Sequence, residues 1–251
     1  MSTATKALQA TLSFAAVLAV WELLGRAVLV NAVLLPPPSL IAPTLADIIV
    51  SGSFLRPLLE TLLLFAVGYS IACILGVAIG LAMGWYDRVY YLLEPTIELL
   101  RPIPKVALVP PLFLFLGLGA SMKITTVALA AFFPVLIATI QGARGVDPVL
   151  VNTARTLGAG PARIVFRIVL PASLPLIFTG MRVSLALGLI VEILAEMLSG
   201  EGGLGYLIVD MQRSFAIRQM YAWIIILAAV GLFLNFVFEY LESRIVYWRG
   251  K

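Results

Sequence analysis

Two glutamates one helical turn apart have the clearest potential for chemistry in this sequence. Glu192 and Glu196 follow Gly180, Ser184 and Gly188 at intervals of four within a long apolar run, so a helix would carry all five on one stripe. A charged residue at the centre of a membrane span costs about 2.5–3.5 kcal/mol on insertion scales, so such groups usually face a polar cavity or a partner. The two acids therefore lie either beside a solute path or gate, or at the interface beside a basic neighbour.

The second candidate for a solute path is a short apolar run, residues 106–118, that follows the segment Arg101–Lys105. Pro110 and Pro111 are expected to interrupt this run, and broken backbone at membrane depth persists only inside protein or beside water. The pattern predicts either a discontinuous span at a translocation pathway or a kinked packing helix. The candidate pathway or gate residues are Arg101, Pro102, Pro104, Ser184, Gly188, Glu192 and Glu196.

Residue types that enzymes need are scarce. The chain has no histidine and a single cysteine, Cys73, which argues against a Cys/His metal cluster, an intrachain disulfide and a histidine-based hydrolase. Gly200, Gly202 and Gly205 match a dinucleotide-binding pattern, but they follow an apolar helical run, so a flexible outer turn is predicted. The sequence contains no GxxxxGK[ST] segment for binding phosphate. We therefore expect no metal or cofactor in this chain, and a membrane-embedded enzyme is the least favoured class.

The positions of these residues depend on a chain that is built for a membrane. Hydrophobic residues make up 62% of the sequence and charged residues 12%, against about 45–50% and 25% in soluble domains. Six apolar runs predict an all-α polytopic protein with about six transmembrane helices in contact with lipid. The runs are approximately residues 8–30, 58–83, 106–118, 124–140, 174–198 and 221–240. Residues 1–57 hold the first span and an outer amphipathic segment, and residues 58–251 hold the core.

The basic residues predict the orientation of these spans. They are scattered between the apolar runs, so nucleic-acid binding is not expected. With the N-terminus inside, the outer side receives Arg56, Lys123, Arg213 and Arg218. The inner side receives the larger set, Lys6, Arg88, Arg144, Arg155, Arg163, Arg167, Arg244, Arg249 and Lys251. The positive-inside rule therefore predicts that both termini are cytoplasmic.

Small residues recur at every fourth position of the second run. They are Gly68, Ala72, Gly76, Gly80 and Gly84. This spacing is typical of helices that pack closely in a membrane, and it predicts a seam between two spans of one subunit more readily than a gate.

Residues 142–175 form an inner loop that is longer and more basic than a connection between two helices requires. Asp147 and Pro148 match the N-cap and the first position of a helix, which residues 158–160 then break. A second helix is predicted to run from Pro161 until Pro171 and Pro175. Such a pair of helices favours a docking surface for a cytosolic partner, and an amphipathic membrane anchor is the alternative.

This inner loop resembles the cytoplasmic signature of ABC importer membrane subunits, which reads EAAxxxG, nine residues, then IxLP. Asn152 and Thr153 replace the first two signature residues, and the matching positions are Ala154, Gly158, Ile168, Leu170 and Pro171. From about Gly52 onwards the chain more closely resembles permeases for nitrate, sulfonate and taurine. The shared stretches are EPTIELLRPIP (94–104), ARTLGAG (154–160), LPASLP (170–175) and GGLGYLI (202–208).

The resemblance implies a type I ABC importer permease of MetI-like architecture, with a cytoplasmic coupling helix, in the bacterial inner membrane. It implies a homodimer, two cytosolic ATPase subunits that bind ATP and Mg, and a periplasmic solute-binding protein that delivers a small anionic solute. The implied ATPase-coupling residues are Ala154, Arg155, Gly158, Ala159, Gly160, Arg163, Ile168, Leu170 and Pro171. Hydropathy alone also leaves open a proton-coupled secondary transporter that uses Glu192 and Glu196.

Overall fold

The computed structural model describes residues 3–27 and 34–248, and every regular element in these ranges is helical. The predicted end of the first span at Val30 and the inner charges Arg249 and Lys251 lie outside the described residues. The helices are α1 (Thr3–Arg26), α2 (Pro38–Val50), α3 (Leu55–Trp85), α4 (Asp87–Leu100), α5 (Val109–Leu116), α6 (Ala120–Arg144), α7 (Pro148–Thr156), α8 (Pro161–Ile164), α9 (Leu170–Ser199), α10 (Gly203–Arg213) and α11 (Ile217–Ile245). The predicted all-helical class is confirmed for this part of the chain.

Within the described ranges, four helices are long and apolar enough to cross a membrane: α3, α6, α11 and a continuous helix, Pro161–Ser199, that includes α9. Helix α4 and the segment Lys105–Leu116, a 3-10 turn followed by α5, pass the same test together as one span bent by 84°. These five account for all of the predicted runs after the first. Helix α1 has 24 residues, which gives a length of about 36 Å, and its role as a sixth span stays a prediction.

Helices α3 and α6 pack side by side through the small residues of α3. The contacts advance in step along both helices, with the pairs Gly68–Val127, Gly76–Val135, Gly80–Thr139 and Gly84–Ala143. A Cβ atom on Gly80 would stand 2.6 Å from the Cβ of Thr139, so the backbones approach too closely for a larger residue. Because the residue numbers rise together, the two helices are parallel.

The parallel arrangement requires the chain to cross back between α3 and α6, and the bent α4–α5 pair makes this return. The break lies at residues 101–104, where Pro102 and Pro104 interrupt the helix. Pro110 and Pro111 instead occupy the first turn of α5, where a missing N–H loses no helical hydrogen bond. The span is discontinuous as expected, but the prediction that these two prolines interrupt it is wrong.

Helix α9 packs against α6 in the opposite direction, with Gly180 beside Ala138 and Gly188 beside Ala131. It continues without a stop from α8, so the prediction that the second inner helix ends at Pro171 and Pro175 is wrong. The connecting segment Val165–Val169 is π-helical, and its wider turn makes room for the ring of Pro171, which begins the first turn of α9.

Two buried clusters mark opposite ends of the helix bundle. At the end that carries residues 145–160, Ala154 and Ile164 pack against Leu81 of α3 and Ala143 of α6. At the other end, α2 and α10 cover the first half of α11 through a cluster that includes Ile48, Ile193, Leu204 and Trp223. The continuous helix of 39 residues that joins these ends is about 58 Å long.

Candidate functional site

The inner loop contains a short helix, α7, with a defined cap at each end. The carboxylate of Asp147 accepts a hydrogen bond from the N–H of Val149 at 2.8 Å, which confirms the predicted N-cap. At the other end Gly158 has φ +79°, the left-handed conformation that glycine adopts without strain. The N–H of Gly158 donates to the Arg155 carbonyl and the N–H of Ala159 to the Ala154 carbonyl, both at 2.9 Å. This is a Schellman motif, which fixes the direction of the turn after α7.

One side of the inner loop is fixed to the bundle and the other is exposed. Ala154 and Ile164 are buried against α3 and α6, and the Arg155 guanidinium lies 5.7 Å from the ring centre of Trp85. The exposed side carries large apolar residues, namely Val149, Leu150, Leu157 and Phe166, together with the exposed Arg163 and Arg167. A capped loop that packs on the bundle and has an apolar exposed face has the character of a docking surface.

A cavity of about 440 Å³ lies between the break in the bent span and helices α6 and α9. Arg101 and Lys105 border it from the break, and Gln141 from α6. Helix α9 contributes Thr179, Gly180, Val183, Leu187 and Leu176. The cavity is therefore mostly apolar, with few polar groups, which is typical of a site for a small molecule.

Lys105 also stabilises the break itself. Its ammonium group donates to the carbonyl of Leu100 at 2.5 Å and stands 4.1 Å from the ring centre of Phe133. A positive charge at the carboxyl end of α4 complements the helix dipole and satisfies a carbonyl that the break leaves free. Arg101 is half exposed, and its nearest acidic group is Glu98, 3.6 Å away. Lys105 is thus engaged by the break itself, and Arg101 is the more exposed of the two cations at the cavity.

The remaining pathway candidates lie on the other face of α9. Ser184, Gly188, Glu192 and Glu196 are buried against α3 and α6, and the side chains of Ser184 and both glutamates are 0% exposed. Both oxygens of Glu192 lack a hydrogen-bond partner among the described residues. The stripe that the sequence predicts is present, but of its five members only Gly180 borders the cavity. The alternative of a partly solvated acid does not fit either glutamate, because both are fully buried. A gate role for these residues stays a proposal.

Glu196 lies at the centre of a buried hydrogen-bond network that joins three helices. Its carboxylate accepts from the Thr61 hydroxyl of α3 at 2.7 Å and from the N–H of Gly205 of α10 at 2.8 Å. The Thr61 hydroxyl in turn accepts from the N–H of Leu204 at 3.0 Å. Glu196 thereby satisfies a free N–H at the start of α10.

Lys123 extends this network to α6. It is 5% exposed, and its ammonium group donates to the carbonyls of Glu201 and Gly202 at 2.5 and 3.2 Å. The predicted flexible outer turn is therefore a glycine segment held from both sides. We call Thr61, Lys123, Glu196 and residues 200–205 the outer clasp. The sequence did not point to Thr61 and Lys123 as members of this site, because neither belongs to a repeating pattern of residues. The only recognisable feature was the pair of glutamates one helical turn apart.

Two solved structures have the same fold as this chain. The inward-facing MetNI methionine ABC transporter, in its native crystal form, superposes with a TM-score of 0.66 at 18% identity, over 76% of this chain and 95% of the other. An amino acid ABC transporter gives a TM-score of 0.62 at 20% identity, over 81% and 97%. The fold is that of a MetI-like ABC importer permease.

The sequence comparisons identify the family. Residues 72–247 match the family described as the binding-protein-dependent transport system inner membrane component, and the chain belongs to it. The putative aliphatic sulfonates transport permease protein of Bacillus subtilis (strain 168) is 34% identical over 94% of this chain and 86% of its own length. The taurine transport system permease protein of Escherichia coli (strain K12) is 30% identical over 97% and 91%. The chain is thus the membrane permease subunit of an ABC importer, and this assignment decides against a proton-coupled secondary transporter.

Proposed function

We propose that the exposed apolar face of the inner loop is the surface on which a cytosolic ATPase subunit docks. The proposal rests on the difference between the two sides of α7, one packed on the bundle and the other exposed. Ala154 attaches it to α3 and α6, and the opposite side presents Val149, Leu150 and Leu157 to the cytosol. Interfaces of this kind gain affinity from buried apolar anchors with a polar rim, and Arg163 and Arg167 provide charges at the edge.

The permease acts as a homodimer with two such ATPase subunits, and both of its termini lie in the cytoplasm. ATP and Mg bind to the ATPase subunits, whose closure draws the two inner loops together. Because α7 is fixed to α3 and α6, this movement is transmitted to the spans as rigid-body tilting. The helix from Pro161 to Ser199 carries the movement to the outer clasp, so the central path opens alternately to each side.

The cavity beside the broken span is the path of the solute, which is a small anion delivered by a periplasmic binding protein. Arg101 supplies a positive charge, and Gln141 and Thr179 supply polar groups on an otherwise apolar wall. Relatives named for sulfonate and taurine transport support an anionic cargo. An apolar wall with a small number of polar and charged groups is the usual composition of a site for a small molecule.

Replacing Gly158 by valine tests the docking surface. Valine disfavours φ +79°, so the turn after α7 would change direction although the space around Gly158 is open. We expect the purified complex to hydrolyse ATP without solute uptake into proteoliposomes. Gly160→Val is the matched variant, because Gly160 is equally open but has φ −71°, and its loss of coupling should be smaller. Uptake by Gly158→Val equal to that of the unmodified permease would remove this turn from the mechanism.

A further inference from the structure

The turn between α10 and α11 has an unusual residue at its centre. The N–H of Phe215 donates to the Gln212 carbonyl at 3.1 Å, and the N–H of Ala216 donates to the Met211 carbonyl at 2.9 Å. These two hydrogen bonds form a Schellman motif at the end of α10, with Phe215 at φ +55°. No other non-glycine residue in the described ranges has a positive φ. A bulky aromatic residue in this conformation is strained, and glycine is the usual occupant.

A second Schellman motif in this protein has glycine at the position that Phe215 occupies. The turn after α7 has the same pair of hydrogen bonds, and Gly158 occupies the left-handed position there. The fold therefore does not require phenylalanine at position 215. Its side chain is also 80% exposed, so packing within the protomer does not compensate for the strain. Strained residues of this kind cluster at functional sites, which include sites that contact a ligand.

The surroundings of Phe215 indicate the chemistry of that contact. The side chain borders a groove of about 440 Å³ between α2 and the turn, which we call the outer groove; its other lining residues are Leu40, Thr44, Ala216, Ile217, Arg218 and Gln219. Arg213 and Arg218 flank the turn, and both are exposed. Neither arginine forms an ion pair within the described part of the chain. Two uncompensated cations around an aromatic residue fit an acidic protein surface.

We infer that the outer groove is the docking surface for an acidic face of the periplasmic solute-binding protein, with Phe215 as the anchor. The inference rests on the proposed orientation, which places the end of the bundle opposite the inner loop in the periplasm. Aromatic and arginine side chains are the residue types that most often dominate binding energy at interfaces. The arginines also attract the acidic partner before contact, which accelerates association.

Phe215→Gly is the test, because it removes the aromatic ring and also relieves the backbone strain. We expect the melting temperature of the permease–ATPase complex in nanodiscs to stay the same or rise. Its affinity for the purified solute-binding protein of the same transport system should fall about tenfold or more. The Arg213→Gln, Arg218→Gln double variant should slow association and reduce its dependence on salt. Val50→Ala, at an exposed residue of α2 outside the groove, should leave affinity unchanged.

Two results would overturn the inference. One is an affinity for the solute-binding protein that Phe215→Gly leaves unchanged. The other is an effect of Phe215→Gly that appears only in the stability of the complex in anionic lipid, which would assign Phe215 to the bilayer surface. A permease that bound no solute-binding protein even without substitution would instead contradict the proposed function, so the two failures are distinguishable.

Discussion

The carboxylate of Glu196 accepts a hydrogen bond from the backbone N–H of Gly205, with 2.8 Å between Oε2 and the nitrogen. This contact joins the end of α9 to the start of α10, and it requires the two helices to approach closely. A side chain on Gly203 would occupy the position of the Glu196 carboxylate. The glycine segment and the acid are therefore parts of one feature, the outer clasp.

Alanine substitutions at residues 200–205 can separate two effects: the strain of a left-handed backbone conformation, and the lack of space beside the Glu196 carboxylate. Gly200 and Gly203 both have positive φ, but only Gly203 faces the Glu196 carboxylate, whereas Gly200 faces open space. We expect Gly200→Ala to lower the free energy of unfolding by about 1 kcal/mol, the cost of the left-handed conformation. Gly203→Ala should lower it by about 3 kcal/mol, because the carboxylate must also move. Melting of the detergent-solubilised protein measures both, and equal values would show that the clasp does not need this approach.

The seam between α3 and α6 predicts a contrast between two helical glycines. A Cβ on Gly80 would collide with Thr139, whereas the nearest atom to a Cβ on Gly231 of α11 is 3.7 Å away. Gly80→Ala should destabilise the protein by about 1–3 kcal/mol through overpacking. Gly231→Ala should be neutral or stabilise it by up to about 1 kcal/mol, since alanine favours a helix. The same melting experiment compares them, and a stable Gly80→Ala variant would contradict the packing described here.

The two glutamates of α9 should respond differently to glutamine. Glu196 accepts hydrogen bonds from Thr61 and Gly205, so Glu196→Gln should cost about 1.5–3 kcal/mol of stability. Glu192 has no such partner, and Glu192→Gln should leave stability unchanged. We expect Glu192→Gln to alter the pH dependence of uptake in proteoliposomes. Uptake identical to that of the unmodified protein at every pH would assign Glu192 to structure alone.

Cysteine labelling can distinguish the two faces of α9. Thr179 is exposed and borders the cavity, whereas Ser184 is buried against the other helices. In a Cys73→Ala background, a membrane-impermeant maleimide should modify Thr179→Cys much faster than Ser184→Cys. An excess of the transported solute should slow the labelling of Thr179→Cys. Equal labelling of both cysteines would mean that the cavity is not the water-filled face of α9.

Local patterns predicted the elements that depend on nearby residues. The cap of α7 follows from Asp147 and Pro148, and its end follows from Gly158, because these residues act on backbone groups within one turn. The break in the third span was predicted at the correct part of the chain, but not at the correct prolines. A proline ends a helix or begins one according to the turn in which it lies, and sequence order alone does not reveal that.

The sequence by itself determined that the chain is a multi-helix membrane protein with a capped inner helix, because hydropathy and capping depend on residues close together along the chain. It also placed Ser184, Gly188, Glu192 and Glu196 on one stripe. Only the tertiary structure decided that this stripe packs against α3 and α6 while the adjacent face of α9 borders the cavity. Helical periodicity groups residues on a face, but the partner of that face is set by contacts between residues far apart in sequence, such as Glu196 with Thr61.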